Sequence, residues 1–265
     1  MRKSVLIKSL CILCVILFVS CANEDDGKDT IPVEKPVLIK KITETIYYSG
    51  QSDVSVLDFV YEKNVLKTVT SNNKNRSEFE YNGDKISKVN YFRDNVASGF
   101  TTFYYNGDLL SYTLSGENQD EKTEYFYTGG ILASQKSGYF NGGKYIVFRE
   151  VSYTFNQAKN VSQEKSKESM FGSETNSKSN YFYDDKNHPM KFMNKYYRLA
   201  FVLEGFDGKS VNNLVSSEYF YPVTSENPGY KNYEIVYNND NFPIEIKKIS
   251  KSSNAVISKT VIEYQ

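Results

Sequence analysis

Tryptophan is absent from this 265-residue sequence, histidine occurs once, and cysteine three times. Each scarcity removes a class of chemistry. A Ser-His-Asp triad would have to use His188, and no Gly-x-Ser-x-Gly elbow accompanies it, so His188 reads as a turn residue before Pro189. One histidine and no free thiol leave no zinc set, and no metal is expected. A glycine-rich phosphate loop is missing too, and no cofactor is implied. Charge of neither sign is in excess, at 32 basic and 32 acidic side chains. Without Arg2, Lys3 and Lys8 of the first 20 residues the remainder is about −3, which excludes the basic stripe of a nucleic-acid binder. Long apolar runs are lacking. Val5 to Val19 is the longest, it is interrupted by Lys8-Ser9, and it is too short to span a membrane stably.

That run has a cationic start, Met1-Arg2-Lys3, and ends in Leu17-Phe18-Val19-Ser20-Cys21. Residues 1–20 read as a signal peptide. The last five resemble a bacterial lipobox. The resemblance implies cleavage before Cys21, thioether-linked acyl chains on its sulfur and a further acyl chain, of the palmitate type, on its amine. Multiple chains hold a protein on a membrane stably. Cys11 and Cys14 fall in the removed segment, so no intramolecular disulfide can form and the sheet and core must supply the stability. Residues 21–36 read as a flexible tether. Its run Glu24-Asp25-Asp26 resembles the surface-export signal of Bacteroidota lipoproteins; a plain solvated linker is the other reading. Asp29-Thr30-Ile31 resembles an Asp-Ser/Thr-aliphatic O-glycan acceptor, which makes Thr30 a candidate site.

What the sequence does have is tyrosine (23) and phenylalanine (17), and they recur in one phrase. Phe79-Glu80-Tyr81 is followed by Asn82-Gly83-Asp84, then Ile86 and Val89. The aromatics are two apart and share a strand face. Asn-Gly supplies the positive φ of a tight hairpin, and an aliphatic strand returns. The second aromatics of successive copies are Tyr61, Tyr81, Tyr105, Tyr127, Phe155, Tyr183 and Tyr237, and Tyr264 ends the chain in half a copy. Most gaps are 20 to 28 residues, enough for two strands and two connections. The fold expected for residues 37–265 is a single all-β domain. It is a curved antiparallel meander of roughly 14 to 18 strands, estimated at two per repeat, that curls into a half-barrel or a porin-like barrel because neighbouring strands are rotated. Glu80 and Lys88 would pair across a hairpin on the wet face. The polar stretch Gln163 to Ser179 reads as a long hairpin or a loop.

Residues 188–210 break the phrase. Met193, Tyr196, Tyr197, Ala200 and Phe201 fall at helical spacing, which predicts a short helix ending at Gly205; an irregular apolar loop is the other reading. The insertion is expected to fill the curl of the sheet.

The phrase aromatic-x-Tyr-(Asn/Asp) resembles the tyrosine-aspartate repeat of the Rhs family, and Tyr183-Asp184-Asp185-Lys186-Asn187 fits it best. With the lipobox, the hairpins and the insertion, the whole chain resembles Bacteroidota surface lipoproteins of unknown function with a porin-like fold. The resemblance implies a fold and an outer-membrane, exterior-facing address, and no activity. The expected role is a binding or interaction module for an extracellular glycan or protein, working as a monomer. A structural envelope component without a ligand, or a glycan-processing enzyme, are the alternatives; no catalytic constellation supports the enzyme. Most repeat tyrosines read as packing residues. Tyr47, Tyr48, Tyr139, Tyr196 and Tyr197 lie outside the repeat slots and are the candidate ligand aromatics.

Overall fold

The computed structural model describes residues 35–170, 172–201 and 208–265. The signal peptide, Cys21, the acidic run and Thr30 lie outside the described residues, as does part of the insertion.

The strands are β1 (Ile39–Tyr48), β2 (Gln51–Glu62), β3 (Val65–Ser71), β4 (Asn75–Asn82), β5 (Lys85–Arg93), β6 (Val96–Asn106), β7 (Leu109–Ser115) and β8 (Glu121–Thr128). They continue as β9 (Ile131–Asn141), β10 (Lys144–Phe155), β11 (Val161–Met170), β12 (Ser173–Tyr183), β13 (Leu214–Phe220), β14 (Gly229–Tyr237), β15 (Pro243–Ser250) and β16 (Val256–Tyr264). One helix, α1 (Lys195–Ala200), lies between β12 and β13. Every strand pairs antiparallel with its sequence neighbours, and β1 pairs with β16, so the sheet is a closed barrel and not a half-barrel. The stretch expected as hairpin or loop is the hairpin β11–β12.

Closure comes from the repeat itself. Opposite the second aromatic of each unit, the returning strand carries one extra residue. Tyr61 pairs with Leu66, Tyr81 with Ile86, Tyr105 with Leu110 and Tyr127 with Leu132, and in each case the next residue of the returning strand is skipped. Phe155, Tyr183 and Tyr237 repeat the pattern with Val161, Leu214 and Pro243. Tyr264 does so with Ile39, skipping Lys40. The N-terminal strand thus supplies the returning half of the last, incomplete unit. Such bulges bend a strand and raise its twist; at one height in eight units they curve the sheet until it meets itself, and no edge is left to pair with another chain.

The turn chemistry differs in detail from the sequence reading. Asn82 ends β4, and the two-residue loop is Gly83-Asp84, with positive φ at Gly83 alone (63°). That places glycine at the first central position of a hairpin turn, where its missing Cβ matters. Lys63 and Asn64 both have positive φ and make the mirror-image turn without glycine.

Alternation sorts the residues. Phe59, Phe79, Phe103 and Tyr125 point inward and are buried, and the aliphatics Leu66, Ile86, Leu110 and Leu132 join them. The second tyrosines face inward as well, and three of them tie unit to unit. The Tyr81 hydroxyl donates to the Leu66 carbonyl (2.7 Å), Tyr105 to Ile86 (2.7 Å) and Tyr264 to Pro243 (2.7 Å). Each reaches back to the returning strand of the preceding unit. Packing and hydrogen bonding use the same side chain, as buried tyrosine generally requires. Burial pushes the Tyr81 and Tyr127 hydroxyls up to about 12.

The outward face carries charged pairs. Lys41 faces Asp58 at 3.5 Å, Arg76 faces Glu78 at 2.9 Å, Lys136 faces Glu150 at 3.3 Å and Lys259 faces Glu245 at 2.8 Å. Their sequence neighbours Ile42, Phe79, Val151 and Ile246 are the buried ones, which fixes these pairs on the outside. Glu80 and Lys88 are in register across β4–β5, as expected, but do not pair. Glu80 accepts from the Asn90 side chain (2.6 Å), and Lys88 lies 4.3 Å from the centre of the Phe100 ring.

The insertion closes one end, the end that carries the repeat turns. α1 starts at the N-cap Asn194, whose side chain accepts from the backbone N–H groups of Tyr196 and Tyr197. It stops at Phe201 rather than at Gly205. Six residues would not hold a helix alone; packing holds this one. Phe201 lies 5.8 Å from Phe79 and 6.1 Å from Phe103, ring centre to ring centre, and Tyr196 meets Tyr105 edge-on at 4.7 Å. A polar knot fastens the other side. Asp184, the aspartate of the best-matched repeat, accepts from the backbone N–H of Lys186 and Asn213 and from the Tyr237 hydroxyl. Asn160 Oδ1 accepts from the N–H of Val211 and Asn212, both at 2.9 Å. Gly208 is required by contact, since a Cβ there would sit 2.3 Å from the Arg198 carbonyl oxygen. His188 is buried in this plug, and its Nδ1 accepts from the Met190 N–H (3.1 Å).

Candidate functional site: the open aromatic end

Because every repeat aromatic sits next to a repeat turn, an aromatic half a repeat away must lie at the opposite end. Exposed rings gather there: Tyr47 and Tyr48 at the end of β1, Tyr139 and Phe140 on β9, Tyr219 and Tyr221 at the end of β13, and Tyr230 on β14. β13 and β14 are neighbours, and β1 lies three strands on from β14, past β15 and β16, so most of the set forms one arc.

Local chemistry holds several rings in place. Tyr219 and Tyr221 stack nearly parallel, 6.3 Å apart and 6° from coplanar. The Lys251 ammonium sits 4.2 Å from the Tyr230 ring centre, a cation–π contact at an exposed site. A hydrogen bond to the Asp53 carboxylate raises the Tyr48 hydroxyl above its ordinary value. Tyr139 stacks with Phe148 at 6.4 Å. Tyr139 also pairs with Glu121, four residue pairs from the buried Tyr125 opposite Gln135 and so on the same face, which places it on the inner side of the mouth.

Behind the rim the inner wall is polar. Thr101 bonds to Tyr91 and to Ser115, and Thr123 to Ser137. Arg149 lies 3.6 Å from Glu164 and 3.3 Å from Glu168 and donates to Ser166. The guanidinium joins the two carboxylates into one ion-pair network. Among the described residues no group of three or more His, Cys, Asp or Glu could hold a metal ion.

Of the five candidate ligand aromatics, Tyr47, Tyr48 and Tyr139 are on this end. Tyr196 and Tyr197 are not: they are 1% and 2% exposed. The helix that carries them turns its aromatic face into the barrel, so they serve as core and show no face to a ligand. The sequence reading missed Tyr219, Tyr221 and Tyr230. Their signal was their distance from the nearest repeat turn.

Two solved structures share this architecture. A porin-like protein from Bacteroides vulgatus superposes with a TM-score of 0.55 at 14% identity, covering 87% of this chain and 99% of that one. The chain has a porin-like fold. A porin-like protein from Bacteroides uniformis gives 0.54 at 11% identity, covering 87% and 98%. No family model matches the sequence, and no curated protein does.

Proposed function

We propose that the protein is a lipid-anchored outer-membrane protein facing the cell exterior, whose open aromatic end binds an extracellular glycan. The barrel does not itself cross the bilayer. A membrane-spanning barrel needs an outward apolar band about 25 Å tall, and a lysine or arginine at mid-bilayer costs about 2–4 kcal/mol. Here charged pairs stand on the outward face of β1, β2, β4, β9, β10, β15 and β16, with Lys136 and Glu150 at mid-strand. Attachment is therefore assigned to lipid on Cys21, with residues 21–36 as the tether. Location on the outer membrane rests on the lipobox, the acidic run behind it and the likeness in fold.

The observation that carries the binding role is the arc of exposed rings. Exposed tyrosine faces suit the apolar faces of sugar rings, and the hydroxyls and the polar inner wall suit their edges. Glycan-array binding of the chain from Cys21 onward tests this. Binding of one glycan class that is lost in Tyr221→Ala but kept in Phe126→Ala, an exposed aromatic of the outer wall, is expected. Binding insensitive to both, or absent, contradicts it. Mass spectrometry of the native N-terminus tests the anchor independently, with Cys21 diacylated and N-acylated as the expected result. Thr30→Ala in the native host tests the proposed O-glycan through a loss of mass.

A further inference from the structure

The plugged end carries a surface that the glycan-binding reading leaves unused. β1 enters the barrel at this end, beside the C-terminal Tyr264, so the Cys21 segment joins the domain here. Exposed aliphatics stand on the same rim. Val65, Leu109 and Ile131 are each the first residue after a repeat turn, on β3, β7 and β9, and Ile131 is 53% exposed. Next to Ile131 a hollow of about 440 Å³ opens between α1 and the turns that follow β8 and β10. Tyr127, Leu132, Phe155 and Leu199 give it apolar walls, and Lys159, Lys195 and Lys209 also line it.

Aliphatic side chains raised beside lysines form the pattern of a surface that rests in the headgroup region, the apolar groups reaching the acyl boundary and the ammonium groups meeting lipid phosphate. The charged outer wall forbids deeper insertion. We infer that this end of the barrel docks on an anionic lipid surface, with Ile131 and the hollow against lipid and Lys159 and Lys195 toward headgroup phosphates. The inference rests on the Cys21 anchor to bring the surface to the membrane. It also deepens the glycan reading, because docking in this orientation points the aromatic end outward.

The absence of tryptophan makes a clean test. The chain from Cys21 has a single thiol and can be coupled to a maleimide lipid in vesicles whatever its native modification, so failure of the anchor reading would show only in the mass of the native protein. A single tryptophan is placed at Ile131→Trp or Val65→Trp, or as a control at Val96→Trp, which is 69% exposed at the opposite end. Quenching by brominated lipid is then read in phosphatidylcholine vesicles with a minority of phosphatidylglycerol. Quenching at Ile131→Trp and Val65→Trp roughly threefold above that at Val96→Trp is expected for a ring at the acyl boundary. The double change Lys159→Glu with Lys195→Glu should bring it down to the control. Equal quenching at both ends, or quenching at Ile131→Trp that survives the double change, overturns the inference.

Discussion

The two ends of the barrel are built from the same strands and do opposite things with their aromatics. At the repeat end the rings face inward at positions two apart, the hydroxyls of Tyr81, Tyr105 and Tyr264 bond to the neighbouring unit, and the insertion fills what is left. At the open end the strands carry serine and threonine inside, and the rings stand exposed at the tips. The difference shows that inward-facing aromatics in this fold do different work at the two heights. Next to a repeat turn they pack the core. At the tips of the open end rings stand exposed.

Variants that treat the two ends alike should break that comparison if it is wrong. The largest effect belongs to the plug. Tyr197→Ala should cost about 3–5 kcal/mol in urea unfolding, because it leaves a cavity against Phe79 and Phe201. A loss below about 1 kcal/mol would make the insertion a loosely held loop.

Alkaline pH comes next and acts on the same end. The unfolded tyrosines ionise near 10, whereas Tyr81 and Tyr127 keep their protons to about 12 because burial disfavours tyrosinate. The unfolded state therefore binds fewer protons in that window. Stability is fully present below pH 10 and falls as pH rises toward 12. Ultraviolet titration of tyrosinate alongside circular dichroism reads both. Ionisation of these tyrosines at 10 with the fold intact would contradict their burial inside the barrel.

A smaller effect is expected from one tie alone. Tyr105→Phe keeps the ring and removes the bond to the Ile86 carbonyl, for a loss of about 1 kcal/mol. The smallest is at the open end, where Tyr221→Ala, 55% exposed before the change, should alter stability by no more than about 0.5 kcal/mol while abolishing glycan binding.

Much of the fold was legible because the repeat repeats its physics as well as its residues. Alternation, turn chemistry and the spacing of Tyr61, Tyr81, Tyr105 and Tyr127 fix hairpins, the inward face and a strand number in the right range. Closure was not legible. It depends on Ile39 filling the slot opposite Tyr264, and no local pattern marks residues at opposite ends of a chain as partners. The skipped residues such as Lys67 and Ser87 were equally silent, since a bulge changes pairing without changing composition. The insertion was half read: helical spacing placed Met193, Tyr196 and Tyr197 on one face, but which way that face turned required the surrounding barrel. The same gap hid the site. Tyr196 looked available and is buried, whereas Tyr221 looked ordinary and is exposed, because the exposure of each is set by the barrel around it and not by its local sequence.

The most direct measurement is of how the unlipidated barrel behaves without a membrane. The chain from Ala22 onward, purified without detergent, should sediment as a folded β-rich monomer and leave phosphatidylcholine vesicles free of conductance and of inserted protein, because its charged outer wall belongs in water. A requirement for detergent, or spontaneous insertion into a bilayer with the barrel protected from protease, would contradict a porin-like barrel that stands outside the membrane.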